Sequence, residues 1–242
     1  MLDGLRCAPP VRSRNHIRSG EMMERIAEPE LMDEAAQARA YAEADFSAPH
    51  QRFIELFREQ FPALQPRGTA LDLGCGPGDI TRRFARAFPS CHVHGIDGAA
   101  AMLHHAEAVQ QGSGLETRIR YIHGYLPGAV LPLPRYDVVI SNSLLHHLAE
   151  PQVLWQSIKA HAAPGAAVFV MDLRRPDSRA AAEALVEQYA AAEPEVLRHD
   201  FFHSLLAAYT PEEVSAQLAA AGLRLVVTVV SDRHFTVSGY LP

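Results

Sequence analysis

One lysine, Lys159, stands among the 22 basic side chains of this 242-residue chain, which also has a single tryptophan and three cysteines. Without a lysine behind a glycine loop there is no G-x-x-x-x-G-K-[ST] segment, and the common triphosphate cradle is excluded. Cys7, Cys75 and Cys91 are odd in number and show no C-x-x-C spacing, so neither a disulfide framework nor a zinc site is indicated. A reducing cytoplasm is the compartment expected. No apolar run reaches about 18 residues, which argues against a membrane-spanning helix, and the N-terminus lacks the apolar stretch of a secretory leader. A net charge of -6 supplies no global field for nucleic acid. The 21 arginines beside one lysine follow base composition rather than function.

What is present is an ordinary globular composition, 48% hydrophobic and 21% charged, long enough for one large domain or one domain with a lid. The first 20 residues stand apart, because Arg6, Arg12, Arg14 and Arg18 face only Asp3 and the remainder sums to -9. Residues 1–22 therefore read as a loose basic tail, or as an extension upstream of a start at Met22 or Met23. Residues 23–66 form an N-terminal helical layer in this reading. Within it the helical pattern runs from Glu30 to Gln60, with Phe53, Ile54, Phe57 and Phe61 on one stripe and Pro62 as the stop.

The segment Ala70 to Asp79, ALDLGCGPGD, carries a short apolar strand into three alternating glycines and then a helix. Glycines there permit a tight turn and bring bare backbone close to a ligand. Gly74-x-Gly76-x-Gly78 is not the G-x-G-x-x-G of pyrophosphate binders. Asp97 follows at the end of a second apolar strand, Cys91 to Ile96, where an acid suits a pair of ribose hydroxyls.

Beyond this point strands and helices alternate. Ile80, Phe84 and Phe88 mark one helix face, and Met102, Ala106 and Val109 another. Strands are expected at Arg118 to His123, Tyr136 to Ser141 and Ala167 to Leu173, with a helix from Pro151 to His161. The pattern predicts a doubly wound, mostly parallel α/β sheet with helices on both faces. Thr210-Pro211-Glu212-Glu213 is a capping box with proline at its first helical position, and Gly222 ends that helix. Arg224 to Val230 and His234 to Ser238 then read as a hairpin. About 36 residues from Arg174 to Tyr209 are too many for a bare connection and predict one or two helices over the carboxyl ends of the strands.

These pieces resemble the class I S-adenosylmethionine-dependent methyltransferases, small-molecule type. Leu71-Asp72-Leu73-Gly74-Cys75-Gly76-Pro77-Gly78 is similar to their first motif. Gly95-Ile96-Asp97 with Met102 is similar to the second, Tyr136 to Asn142 to the fourth strand, and Ala163-Pro164-Gly165-Ala166 before Val168 to Asp172 to the turn into the fifth. The likeness runs from about Ala70 to Gly239. It implies a Rossmann-like sheet of seven strands with a C-terminal antiparallel hairpin, residues 67–242 as the methyltransferase domain, a helical lid at about 174–209, and S-adenosylmethionine as cofactor with S-adenosylhomocysteine as product.

By the same resemblance Asp72, Gly74, Cys75 and Gly76 would surround the amino acid end of the cofactor, Asp97 would take the ribose hydroxyls, and Gly98 and Met102 would flank adenine. Asn142 would sit at the end of the fourth strand, and Tyr41 would close the pocket from the N-terminal helices. Each has a structural alternative: a loop-stabilising carboxylate for Asp72, core packing for Met102, a small loop residue for Cys75. After the third strand the family often has Gly-Asp, but here Gly124-Tyr125 stands, so a backbone or ring contact from Tyr125 replaces the carboxylate or the contact is absent.

The acceptor side is less legible. The fourth strand leads to Ser143-Leu144-Leu145-His146-His147 and not to the N/D-P-P-[YF] motif of DNA and glutamine amino-methylating members. His146 or His147 is the candidate general base, with packing as the alternative role and, on a helix, at most one ring facing the cleft. Arg174, Arg198, Phe202 and Tyr209 are candidate acceptor contacts, against surface pairing and core packing. No ligand spacing indicates a metal. The expected activity is methyl transfer to a small-molecule acceptor by alignment and desolvation, in a monomer or homodimer without nucleic acid or membrane partners. Two other readings remain at this stage, a noncatalytic cofactor-binding protein and an enzyme that modifies the cofactor itself, which would need an arginine such as Arg174, Arg175 or Arg198 for an added carboxylate.

Overall fold

In the computed structural model, residues 23–28 and 46–242 are described. They form a seven-stranded sheet in the order β3-β2-β1-β4-β5-β7-β6. The strands are β1 (Gly68–Leu73), β2 (Cys91–Asp97), β3 (Ile119–His123), β4 (Tyr136–Asn142), β5 (Ala162–Leu173), β6 (Val226–Val229) and β7 (His234–Tyr240). The first five pair in parallel, and β7 runs antiparallel to both β5 and β6. This is the expected Rossmann-like architecture. β1 is central, and its last four residues are buried on both faces, as a parallel strand covered by helices requires.

Seven helices are described: α1 (Ser47–Gln60), α2 (Asp79–Ala87), α3 (Ala100–Gln110), α4 (Gln152–His161), α5 (Arg179–Ala190), α6 (Glu195–Ala207) and α7 (Pro211–Ala221). One face of the sheet carries an aromatic core in which Phe53 and Phe57 from α1 meet Phe84 of α2, Phe88 at its end and Phe169 of β5. Phe57 touches Phe84 and Phe169 edge to face, with centroids 5.1 and 5.7 Å apart. Because Phe57 is fully buried, Phe57→Ala should cost about 3–5 kcal/mol, lowering the melting temperature by roughly 10 °C in a chain of this size. A scanning calorimetry shift of a degree or two would mean that α1 is not docked as described.

The other face packs Leu154, Trp155 and Ile158 of α4 and Val214 and Leu218 of α7 against β1, β4, β5 and β7. Trp155 donates its indole N–H to Gln217 at 3.0 Å, which allows this large ring to be fully buried. The capping box forms as read: Glu213 N–H donates to the Thr210 hydroxyl oxygen, while the Glu213 carboxylate accepts from the Thr210 N–H. Gly222 ends α7 in the left-handed conformation.

Of four local expectations, one lies partly outside the described residues, two change and one is met. The Glu30 to Gln60 helix is described only from Ser47, since residues 29–45 lie outside the described residues. β5 begins at Ala162 rather than Ala167, because Ala162 pairs with Tyr136 across a register shift and the Gly165 N–H donates to Leu241 O. Val109 is exposed, while Met102, Leu103 and Ala106 form the buried stripe of α3. The 36-residue connection forms two helices, α5 and α6, whose buried Ala182, Leu185, Val186, Leu205 and Leu206 pack with Leu173 at the end of β5. No helix among the described residues is long and apolar enough to cross a membrane.

Candidate cofactor cleft

The sheet order reverses between β1 and β4, and a cleft opens there at the carboxyl ends of the strands, the position where such sheets bind ligands. Its floor is Asp72 and the loop Gly74 to Pro77; β2 adds Asp97, with Gly98, Ala99 and Met102 following. Gly124 to Leu126 follow β3, and Asn142 to Leu144 with His147 follow β4. Of the candidate cofactor residues, Asp72, Gly74, Cys75, Gly76, Asp97, Gly98, Met102, Tyr125 and Asn142 all line this one cleft. Tyr41 lies outside the described residues.

The glycine loop has two distinct steric demands. At Gly78, with φ +75°, an added Cβ would stand 2.2 Å from the Tyr121 hydroxyl, so α2 can begin close against β3 only without a side chain. At Gly76, with φ +51°, nothing lies within 4 Å of that position, and it faces the cleft as bare backbone. One glycine serves packing and the other leaves room for a ligand.

Asp97 organises the loop. Its Oδ2 accepts from the Gly76 N–H at 2.7 Å and its Oδ1 from the Ala99 N–H at 2.8 Å. A carboxylate has about four acceptor sites, so one on each oxygen remains for donors in the cleft. Burial raises the Asp97 carboxyl above its ordinary value, with the Ala99 and Gly76 amides pulling the other way. A ribose diol supplies two hydroxyl donors, the kind of group that such acceptor sites take. Asp72 is more deeply placed, 1% exposed, and accepts from the Thr81 hydroxyl at 2.6 Å. Burial pushes its carboxyl up to about 7; Thr81 lowers it and nearby Asp97 adds to the rise. An incoming ammonium would relieve that cost. Cys75 lines the cleft, but burial drives its thiol well above the ordinary range, which leaves no reactive thiolate.

His50 was not among the residues singled out from sequence. It projects from α1 into the cleft and its Nδ1 is 2.8 Å from Asp79 Oδ2, an oxygen that also accepts from Arg83 at 2.6 Å. Burial works against the Asp79 charge, yet the hydrogen bonds from His50 and Arg83 outweigh it and hold the carboxyl well below the usual range. Proximity of His50 to the first turn of α2 was hidden by the aromatic stripe that dominates α1. Ser143 is the second residue missed: its φ of +55° is unusual outside glycine, and its N–H donates to Met171 O at 2.9 Å. Strain of this kind at a cleft has no sequence signature in a serine.

The two histidines part company. They lie on one turn of 3-10 helix, Leu145–His147, and not on an α-helix, with ring centroids 4.2 Å apart. His146 does not line the cleft; it is 2% exposed, with Nδ1 2.5 Å from Asp172 Oδ1. Asp172 also accepts from the Leu145 and Leu173 amides, both at 2.7 Å. Burial disfavours a charged His146 ring, but Asp172 and Glu28 overcome it and the ring is held above its ordinary value. His147 lines the cleft, and its Nδ1 is 3.1 Å from Glu28 Oε1.

The four acceptor candidates do not gather at the cleft. Arg198 reaches Glu187 at 3.3 Å on the surface between α5 and α6. Phe202 lies under the Arg179 guanidinium, 4.8 Å from centroid to cation. Tyr209 donates to Leu148 O at 3.0 Å and is covered by Arg25, 4.1 Å above its ring. Arg174 forms a backbone bridge with Tyr209 and does not line the cleft. Arg175 is buried and pairs with Glu213 and the Ala208 carbonyl. Arg198 and Phe202 lie on faces of α6 that pack within the lid, while Arg174, Arg175 and Tyr209 lie in the segments that join the lid to β5 and α7.

The strap of residues 23–28 closes this end of the molecule. Arg25 donates to Ala207 O at 2.6 Å and to His146 O and Leu148 O at 2.9 and 3.1 Å, and the Ile26 N–H donates to Leu206 O.

A seven-stranded sheet in this order, with a glycine loop after β1 and an acid after β2 in one cleft, is the class I methyltransferase fold. A family profile described as a methyltransferase domain matches residues 71–168. An uncharacterized methyltransferase of Mycobacterium tuberculosis is 32% identical over 119 residues, covering 48% of this chain and 57% of that protein, so the chain spans little more than half of that relative's length. A ubiquinone biosynthesis O-methyltransferase of Paraburkholderia phytofirmans is 27% identical over 175 residues, 70% of this chain and 72% of that one. A SAM-dependent methyltransferase structure from Aquifex aeolicus superposes with a TM-score of 0.65 at 20% identity, over 86% of this chain and 99% of that one. Residues 71–168 thus match a methyltransferase domain, and the chain has the fold of the class I S-adenosylmethionine-dependent methyltransferases.

Proposed function

We propose that this protein transfers a methyl group from S-adenosylmethionine to a small organic acceptor. The observation that carries the reading is the Asp97 carboxylate, which ties two loop amides together and still presents acceptor sites to a cleft floored by glycine backbone. When bound, the cofactor supplies an electrophilic methyl on its sulfonium, so the protein has mainly to align a nucleophile and exclude water. Asp97 holds the ribose hydroxyls, Asp72 faces the amino acid end, and Gly98 and Met102 bracket the base. Tyr125, 55% exposed at the mouth, covers the base edge where the family often has a carboxylate. His147 faces the acceptor side and takes the proton from its hydroxyl or amine, while His146, turned to Asp172, braces the turn that carries it. The absence of N/D-P-P-[YF] after β4 and the small-molecule pathway in the name of the Paraburkholderia relative both favour a small acceptor.

The alternative that modifies the cofactor itself needs an arginine at the donor, and Arg174, Arg175 and Arg198 do not line the cleft. Methyl-labelled S-adenosylmethionine incubated with the protein and a fractionated metabolite extract should place label in a small-molecule fraction. Stoichiometric retention of cofactor with no transferred label would instead identify a noncatalytic binder.

A further inference from the structure

Where the strap meets the turn after β4, three side chains from two distant parts of the chain converge. Glu28 Oε1 is 3.1 Å from His147 Nδ1 and 3.6 Å from His146 Nε2, and one donor atom from each residue lies within 4.8 Å of the other two. Zinc binds nitrogen and carboxylate oxygen at about 2.0–2.2 Å, which places tetrahedral ligands roughly 3.3–3.5 Å apart. The two measured separations bracket that value. The longer one, at 3.6 Å, is beyond hydrogen-bond range.

His146 is already oriented for coordination. With Nδ1 2.5 Å from Asp172 Oδ1, and Asp172 fixed by the Leu145 and Leu173 amides, Nδ1 keeps its proton and Nε2, 3.6 Å from Glu28 Oε1, is the nitrogen that an ion would take in place of the ring's second proton. A carboxylate on the far nitrogen is the usual support of a metal-bound histidine. The neighbouring cation does not neutralise Glu28 in its place: the Arg25 guanidinium is spent on the Ala207, His146 and Leu148 carbonyls and the Tyr209 ring. Ser204 donates to Glu28 at 3.1 Å and steadies the carboxylate from the lid side. Two imidazoles and one carboxylate form a donor set known for zinc, with one tetrahedral position left open.

We propose that Glu28, His146 and His147 bind one divalent transition-metal ion of the zinc class, with Asp172 orienting His146, and that the ion fastens the 23–28 strap to the cleft wall. The binding claim does not depend on the acceptor, but an ion on His147 Nδ1 leaves the ring proton on Nε2, so the ion-bound ring and the ring that takes the acceptor's proton are exclusive states of His147. Untagged full-length protein, stripped with a chelator and dialysed, would be titrated with zinc ion alone by calorimetry. The expected isotherm saturates at one ion per chain, and Glu28→Gln and Asp172→Asn each weaken it about tenfold to a hundredfold. S-adenosylhomocysteine binding by Glu28→Gln reports that the fold persists. Trypsin cleavage after Arg25 should slow on adding zinc to the wild type and not to Glu28→Gln. Absence of a saturable wild-type site, or equal uptake by the wild type and Glu28→Gln, overturns the proposal and leaves a hydrogen-bonded cluster. Since the wild-type stoichiometry is decisive alone, a variant that fails to fold does not rescue it.

Discussion

Asp97→Ala should lower the affinity for S-adenosylhomocysteine by about a hundredfold or more in calorimetry, while the melting temperature of the cofactor-free protein moves far less. Hydrogen bonds from hydroxyls to a charged acceptor contribute roughly 1.5–3 kcal/mol each, and two are lost. A second loss is structural, because the Gly76 and Ala99 amides that Asp97 holds at 2.7 and 2.8 Å would be freed. Asp97→Asn separates the two effects. Its amide oxygen still accepts from one loop amide, but the charge is gone and the nitrogen cannot accept from a hydroxyl, so an intermediate loss of about tenfold is expected. Binding by a folded Asp97→Ala protein within about twofold of wild type would remove the ribose role and, with it, the observation on which the proposed function rests.

The contrast between the donor and acceptor sides follows from how each is encoded. Gly74, Gly76 and Asp97 were legible because backbone and position do the work: a loop that must expose main chain needs glycine, and an acid at a strand end is placed by the sheet. The C-terminal hairpin and the α7 capping box were legible for the same local reason, since Thr210 and Glu213 satisfy each other within one turn. Asp172 illustrates the opposite case. It lies near the carboxyl end of β5, yet its carboxylate turns to His146 and two amides rather than to the cleft. Nothing in the local sequence determines which of two available partners a buried carboxylate takes.

Nor could the strap be read in advance. Arg25 and Glu28 sit in a stretch read simply as the start of a helical layer, and their partners Ala207, Ser204, His146 and His147 are more than a hundred residues away. Those contacts are properties of the folded surface formed by β4, β5 and α6 together. The arginine pairings were hidden for a related reason: Arg198 and Arg175 find Glu187 and Glu213, partners that local spacing does not place.

The second large effect concerns pH and Asp72. Its ordinary carboxyl value of 3.8 is pushed by burial up to about 7 in the folded, cofactor-free protein. The unfolded chain therefore gives up this proton first as pH rises, so folding stability contributed by the protonated group is complete below about pH 4 and is lost as pH climbs to about 7. Asp72→Asn keeps an oxygen for the Thr81 hydroxyl and carries no charge to bury. It should match the wild type near pH 4 and exceed it at pH 8 by on the order of 2–4 kcal/mol, the cost of ionising a carboxyl that burial holds so far above its ordinary value. Cofactor affinity should respond in the opposite sense. If Asp72 faces the ammonium of the bound amino acid moiety, wild-type affinity for S-adenosylhomocysteine climbs between pH 6 and 8 as the carboxylate forms, up to about tenfold per pH unit below its titration point. Asp72→Asn should then show a flat profile and weaker binding at pH 8 despite its greater stability. Thermal melts and calorimetric titrations on the same two proteins at pH 5, 6, 7 and 8 read both effects. A parallel pH profile for the two proteins would place Asp72 as a loop-bracing residue without a share in the donor's charge, whereas crossing curves of stability and affinity require one buried carboxylate to serve both.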